Sequence, residues 1–225
     1  MPLPKKGKCF ANGIGFDTEG GNLYVANELA DLINKQCFFK VPPWSDSEEP
    51  KSEPIVFSTP NFPYYDAPNG LKVKDNYVYY TCLQWLPVMT ASLKRVKIDK
   101  NGSFGDVEVI YQKHFSVFDD FDIVKNGFVI ANIMNVPDYG AGSLLFVESH
   151  CEEGKLKGEL KDTFRDYGLK SPSSVKVVKQ NINGSDFFKA GDIVITEKGR
   201  HCVSRLRLDD EWCQWLTRDE RRSRG

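Results

Sequence analysis

Pro68-Asn69-Gly70-Leu71-Lys72-Val73, followed closely by Tyr77-Val78-Tyr79-Tyr80-Thr81-Cys82, pairs a polar Asn-Gly turn with two apolar strands. The second run alternates aromatic and β-branched residues and is bounded by polar ones, which is strand chemistry. The same unit is written elsewhere. Ala11-Asn12-Gly13-Ile14-Gly15-Phe16 precedes Asn22-Leu23-Tyr24-Val25-Ala26-Asn27. Phe118-Asp119-Asp120-Phe121-Asp122-Ile123 precedes Gly127-Phe128-Val129-Ile130-Ala131-Asn132. Lys170-Ser171-Pro172-Ser173-Ser174-Val175 precedes Asp192-Ile193-Val194-Ile195-Thr196 across a longer connection.

Asn12, Asn69, Asp119 and Ser171 mark these starts at intervals of 57, 50 and 52 residues. Further strands fit between them, at Leu93 to Ile98, Val107 to Tyr111 and Leu144 to Val147. A unit of about 50 residues with four strands is the period of a β-propeller blade. A β-sandwich also has many short strands, but does not restart with one signature at fixed spacing. The expectation is an all-β chain, a β-propeller with room for four to five blades. It occupies residues 1–225 as one domain, with an inserted Pro/Ser/Glu-rich loop at 44–60 and a charged tail or short helix at 205–225. Asp99 to Gly102 and Asn183-Gly184 read as hairpin turns.

Composition narrows the function. Among 225 residues, 30 Lys and Arg face 31 Asp and Glu. That balance speaks against general nucleic-acid binding, and no apolar run has the roughly 20 residues of a membrane helix. The basic N-terminus lacks the apolar core of a secretory signal. Six cysteines show no C-x-x-C spacing, which points to buried free thiols and a cytoplasmic setting. No nucleophile elbow, phosphate loop or dinucleotide fingerprint is present.

Asn12-Gly13-Ile14-x-Phe16 with Leu23 to Asn27, the Pro68-to-Leu71 unit with Tyr77 to Thr81, and Asp119-Asp120-Phe121 with Gly127 to Asn132 resemble successive blades of the gluconolactonase-like propellers. That family includes the senescence-marker protein and luciferin-regenerating enzyme, with strictosidine synthase a more distant member. The likeness runs from about residue 10 to about residue 199. It implies a propeller of the six-bladed type, of which this chain holds four to five blades, with a divalent cation, usually calcium, at its centre, held by a Glu, two Asn and an Asp from successive blades. By resemblance the Asn ligands fall on Asn12 and Asn69 and the Asp on Asp119, with Asp120 as the alternative register. The Glu belongs to a blade that this chain is expected to lack. Asp120 also departs from the family, which commonly has Gly there.

Hard cations take oxygen donors of these types. The resemblance implies a lactone or ester hydrolase in which the cation polarises the carbonyl and Asp119 is the base or water-positioning group. Asn27, Tyr65, Trp85, Asn132 and Tyr139 are the candidate substrate-binding residues, Asn27 and Asn132 as strand ends and the aromatics as loop residues. Two other readings stay open: a metal-independent enzyme of secondary metabolism that cyclises or condenses a hydrophobic substrate, and a non-catalytic incomplete propeller completed by a partner. A small-molecule substrate is expected, with neither nucleic acid nor membrane as partner, and a homo-oligomer if the propeller is open.

Overall fold

A computed structural model describes residues 11–28, 38–43, 53–55, 67–85, 88–99, 104–136, 142–165, 169–184 and 187–217. The described part is all-β apart from one short helix, with four antiparallel sheets. In chain order the strands are β1 (Ala11–Phe16), β2 (Leu23–Asn27), β3 (Phe38–Val41), β4 (Glu53–Ile55), β5 (Ala67–Lys74), β6 (Tyr77–Gln84), β7 (Thr90–Ile98) and β8 (Phe104–His114). They continue as β9 (Ser116–Val124), β10 (Gly127–Asn135), β11 (Ser143–Glu152), β12 (Lys155–Phe164), β13 (Pro172–Val177), β14 (Ile193–Glu197) and β15 (Cys202–Leu206), before helix α1 (Asp210–Leu216). Strands β1 to β4, β5 to β8 and β9 to β12 form successive four-stranded meanders, and β13 to β15 form a three-stranded one.

β4 lies inside the segment expected as an inserted loop. Its backbone pairs with β3, Pro54 opposite Phe39. An outer strand tolerates proline, because one side of it needs no backbone donor. The β5–β6 hairpin turns through Asp75 and Asn76, both at positive φ, the two-residue geometry that matches strand twist. Asn183-Gly184 sits instead within the long connection between β13 and β14. Residues 100–103 lie outside the described residues.

The chain divides into two compact units, Met1–Phe118 and Asp119–Gly225. In the first, Tyr24, Ala26 and Phe38 of one sheet pack on Leu71, Val78, Tyr80 and Cys82 of the next. Alternation along β6 selects Val78, Tyr80 and Cys82 for that face. Phe38 and Tyr80 meet edge-to-face with centroids 4.8 Å apart, worth about 0.5–1.5 kcal/mol beyond area burial.

In the second unit, Val129, Ala131, Leu144 and Phe146 pack on Val175, Val177, Ile193 and Ile195. Helix α1 adds Trp215 and Leu216 to that core. Asp209 caps α1 by accepting from Trp212 N at 3.1 Å. Trp212 lies 4.7 Å from Phe146, centroid to centroid. The four described cysteines are free: Cys82 is buried, Cys213 half-buried, Cys151 and Cys202 exposed.

Candidate functional site

Three first strands share one irregularity. In β1, Ala11 opposes Asn27 and Ile14 opposes Val25, so Asn12 and Gly13 together oppose Ala26. In β5, Pro68 opposes Cys82 and Leu71 opposes Tyr80, so Asn69 and Gly70 oppose Thr81. In β13, Pro172 opposes Glu197 and Ser174 opposes Thr196, which makes Ser173 the extra residue. These are β-bulges, which bend a strand and re-aim its side chains, and which concentrate beside active sites. The Asn-Gly pairs read as turns in the sequence therefore sit inside strands. Asp119 follows the same spacing: it precedes the end of β9 by five residues, as Asn69 precedes the end of β5.

The first unit brings Asn12 and Asn69 onto neighbouring strands. Gly13 faces the backbone of Asn69 to Leu71 so closely that a β-carbon on it would lie 2.2 Å from the Asn69 carbonyl oxygen. Within the bulge, Gly70 N–H donates to Thr81 Oγ1 at 2.9 Å. Asn69 is 8 % exposed, and its Oδ1 has no hydrogen-bond partner among the described residues. A buried amide oxygen left alone costs about 1–3 kcal/mol. Asn12 is exposed and donates from Nδ2 to Glu28 Oε2 at 3.0 Å. Glu28 escaped the sequence reading; its only signal was its place directly after Asn27, at the end of β2.

In the second unit Asp119 is buried, and its Oδ2 lies 3.3 Å from Lys198 Nζ. Asp120 accepts from Ser174 Oγ at 2.7 Å. Asp122, also buried, accepts from Val177 N at 2.9 Å and Lys176 Nζ at 3.1 Å. Asp120 and Asp122 thus tie β9 to β13. Ser173 Oγ lies 3.1 Å from Thr196 Oγ1. Next along β14, Glu197 is buried. Burial alone would raise its carboxyl, but donors outweigh it: Ser204 Oγ, Lys170 N–H, the Arg200 charge and Cys202 hold it below the usual range.

The other candidates fall in both units. Asn27 is buried opposite Ala11. Asn132 is buried and donates to Ser143 Oγ at 3.0 Å across the β10–β11 ladder. Trp85 is exposed just past the end of β6. Tyr65 and Tyr139 lie outside the described residues. A cleft of about 260 Å³ in the second unit is lined by Lys125, Lys161, Trp212 and Trp215. Lys125 is six residues along the chain from Asp119, roughly 20 Å of extended strand, so this cleft is a different place from the Asp119 carboxylate.

The oxygen donors suit a hard cation. Asn69 Oδ1 is buried and unpaired among the described residues, and the Asn12–Glu28 pair adds an amide and a carboxylate on the adjoining strands. Asp119 already faces an ammonium. Among the described residues, no three His, Cys, Asp or Glu side chains converge. No described helix is long and apolar enough to cross a membrane. No protein-family model matches the chain, and no curated protein matches it significantly.

Proposed function

We propose that the chain is part of a β-propeller and acts as a cation-dependent hydrolase of a lactone or related ester. The observation that carries this reading is the buried Asn69 Oδ1 at a first-strand bulge, without a partner among the described residues. The repeated meanders and the recurrence of that bulge in β1 and β13 support the propeller. Asn69 and Asn12 have the amide oxygens to hold calcium, which when bound supplies Lewis acidity at the ester carbonyl. By the resemblance, the group that takes a proton from the attacking water is Asp119. The water oxygen bonds to the carbonyl carbon, the ring carbon–oxygen bond breaks, and the proton passes to the departing alkoxide. Lys198 orients the Asp119 carboxylate from 3.3 Å. The free thiols Cys82, Cys151, Cys202 and Cys213 support a cytoplasmic setting.

The test is turnover of a panel of lactones and aryl esters, with and without chelator, by the wild type and Asp119→Asn. Loss of turnover in both the chelated enzyme and the variant is expected. Turnover unchanged by either treatment overturns the reading.

A second reading is favoured by Lys198, whose ammonium gives Asp119 a positive partner without a metal. It is the metal-independent enzyme, in which the side chains bind and orient a hydrophobic substrate. Turnover that survives the chelator and falls at least 100-fold in Lys198→Met selects it.

A further inference from the structure

The cleft of about 260 Å³ in the second unit lies between two elements. Lys125 and Asn126 of the β9–β10 turn form one wall, and Trp212, Gln214 and Trp215 of α1 the other. A cavity of roughly 150 Å³ holds one benzene. This cleft therefore has room for one six-membered ring with its substituents.

Its walls are fixed to one another. Lys125 N–H donates to Leu216 O at 3.4 Å, which joins the turn to the end of α1, and Asn126 O accepts from Ser149 N at 2.9 Å. Trp215 is buried, and its Nε1–H donates to Glu148 Oε1 at 3.4 Å. The two indoles stand at 75° with centroids 5.5 Å apart. Lys161 Nζ lies 5.7 Å from both ring centroids and 3.9 Å from Glu148 Oε1, so its charge is already answered within the protein.

The other polar side chains of the cleft are not answered in this way. Those of Lys125, Asn126, Glu211 and Gln214 have no hydrogen bond or ion pair among the described residues. Together they offer ammonium and amide donors, and carboxylate and amide acceptors. An anion would use the donors alone and would meet Glu211. A cation would use the acceptors alone and would meet Lys125. Hydroxyl groups both donate and accept, so they use the whole set. The indoles add apolar faces of negative potential, which suit C–H groups that neighbouring oxygens have made positive. A polyhydroxylated ring has hydroxyls for the first set and C–H groups for the second.

We propose that this cleft binds one pyranose ring, an uncharged sugar unit. The site is separate from the Asp119 carboxylate, and the proposal does not depend on the hydrolase reading.

The test uses the methyl glycosides of glucopyranose, galactopyranose and mannopyranose, with benzoate and cyclohexanol as the anionic and apolar comparisons. Saturation-transfer NMR titrations give their affinities for the wild type and for Glu211→Ala/Gln214→Ala, both exposed positions of α1. The expected result is a Kd on the order of 1 mM for at least one glycoside, and at least a tenfold loss in the variant with its circular dichroism unchanged. Trp212→Leu is expected to abolish binding; should it fail to fold, the double variant still decides. A chelator is expected to leave glycoside affinity unchanged. Affinity lost to the chelator would put the sugar at the cation site and overturns the proposal. So do equal affinities in wild type and double variant, or no saturation transfer to any glycoside at about ten times that Kd. Benzoate or cyclohexanol binding as tightly as the best glycoside also overturns it, because the hydroxyls would then not be read.

Discussion

Gly13 and Asn69 touch through their backbones: a β-carbon on Gly13 would lie 2.2 Å from the Asn69 carbonyl oxygen and 2.5 Å from Leu71 N. Two bulged first strands therefore approach at the positions that carry their Asn-Gly pairs. The glycine is required by this approach.

Gly13→Ala tests that approach. The obstructing atoms are backbone and cannot swing away, so the variant is expected to lose about 1–3 kcal/mol, at the upper end of the range. Urea unfolding measures it. A change below about 0.5 kcal/mol would mean that β1 and β5 do not meet as described.

Tyr24 tests the core of the first unit. Its hydroxyl is buried and has no hydrogen-bond partner among the described residues. Burial first, then the nearby Asp17 charge, pushes its pKa up to about 12. A raised folded-state pKa means a contribution that is complete below pH 10 and is lost as pH climbs from about 10 towards 12. Tyr24→Phe is therefore expected to be neutral or stabilising at pH 7, and to flatten the alkaline fall in stability. Melting temperatures from pH 7 to pH 11 read both effects. A loss of more than 1 kcal/mol at pH 7 would show that the hydroxyl has a partner.

Glu197 tests the second unit in the opposite direction of pH. Its lowered carboxyl contributes stability present above the unfolded value near 4.5 and lost as pH falls below it. Glu197→Gln is expected to cost about 1–3 kcal/mol at pH 7 and to lose less of its remaining stability on acidification than the wild type. Parallel pH profiles for the two proteins would contradict this.

The strands were legible because β6, β10 and β14 combine alternation with β-branched and aromatic residues, and because their starts recur about every 50 residues. What could not be read was the state of the Asn-Gly pairs. Asn before Gly suits a tight turn or a bulge equally, and only the pairing of Pro68 with Cys82 and Leu71 with Tyr80 decides for the bulge. Ser173 was missed for the same reason: Ser-Ser after a proline does not look like Asn-Gly, yet it holds the equivalent position. Lys198 and Glu28 were invisible because their partners lie 79 and 16 residues away. Asn132 shows the converse: its place at a strand end suggested a pocket, whereas its amide bonds Ser143 within the ladder.

Calcium titration by calorimetry on the wild type and on Asn69→Ala tests the cation site most directly. One site is expected in the wild type and at least a tenfold loss of affinity in the variant, with the melting temperature of the calcium-free protein unchanged or raised because a buried oxygen with no partner among the described residues is gone. No binding in the wild type, or equal binding in both, would contradict it.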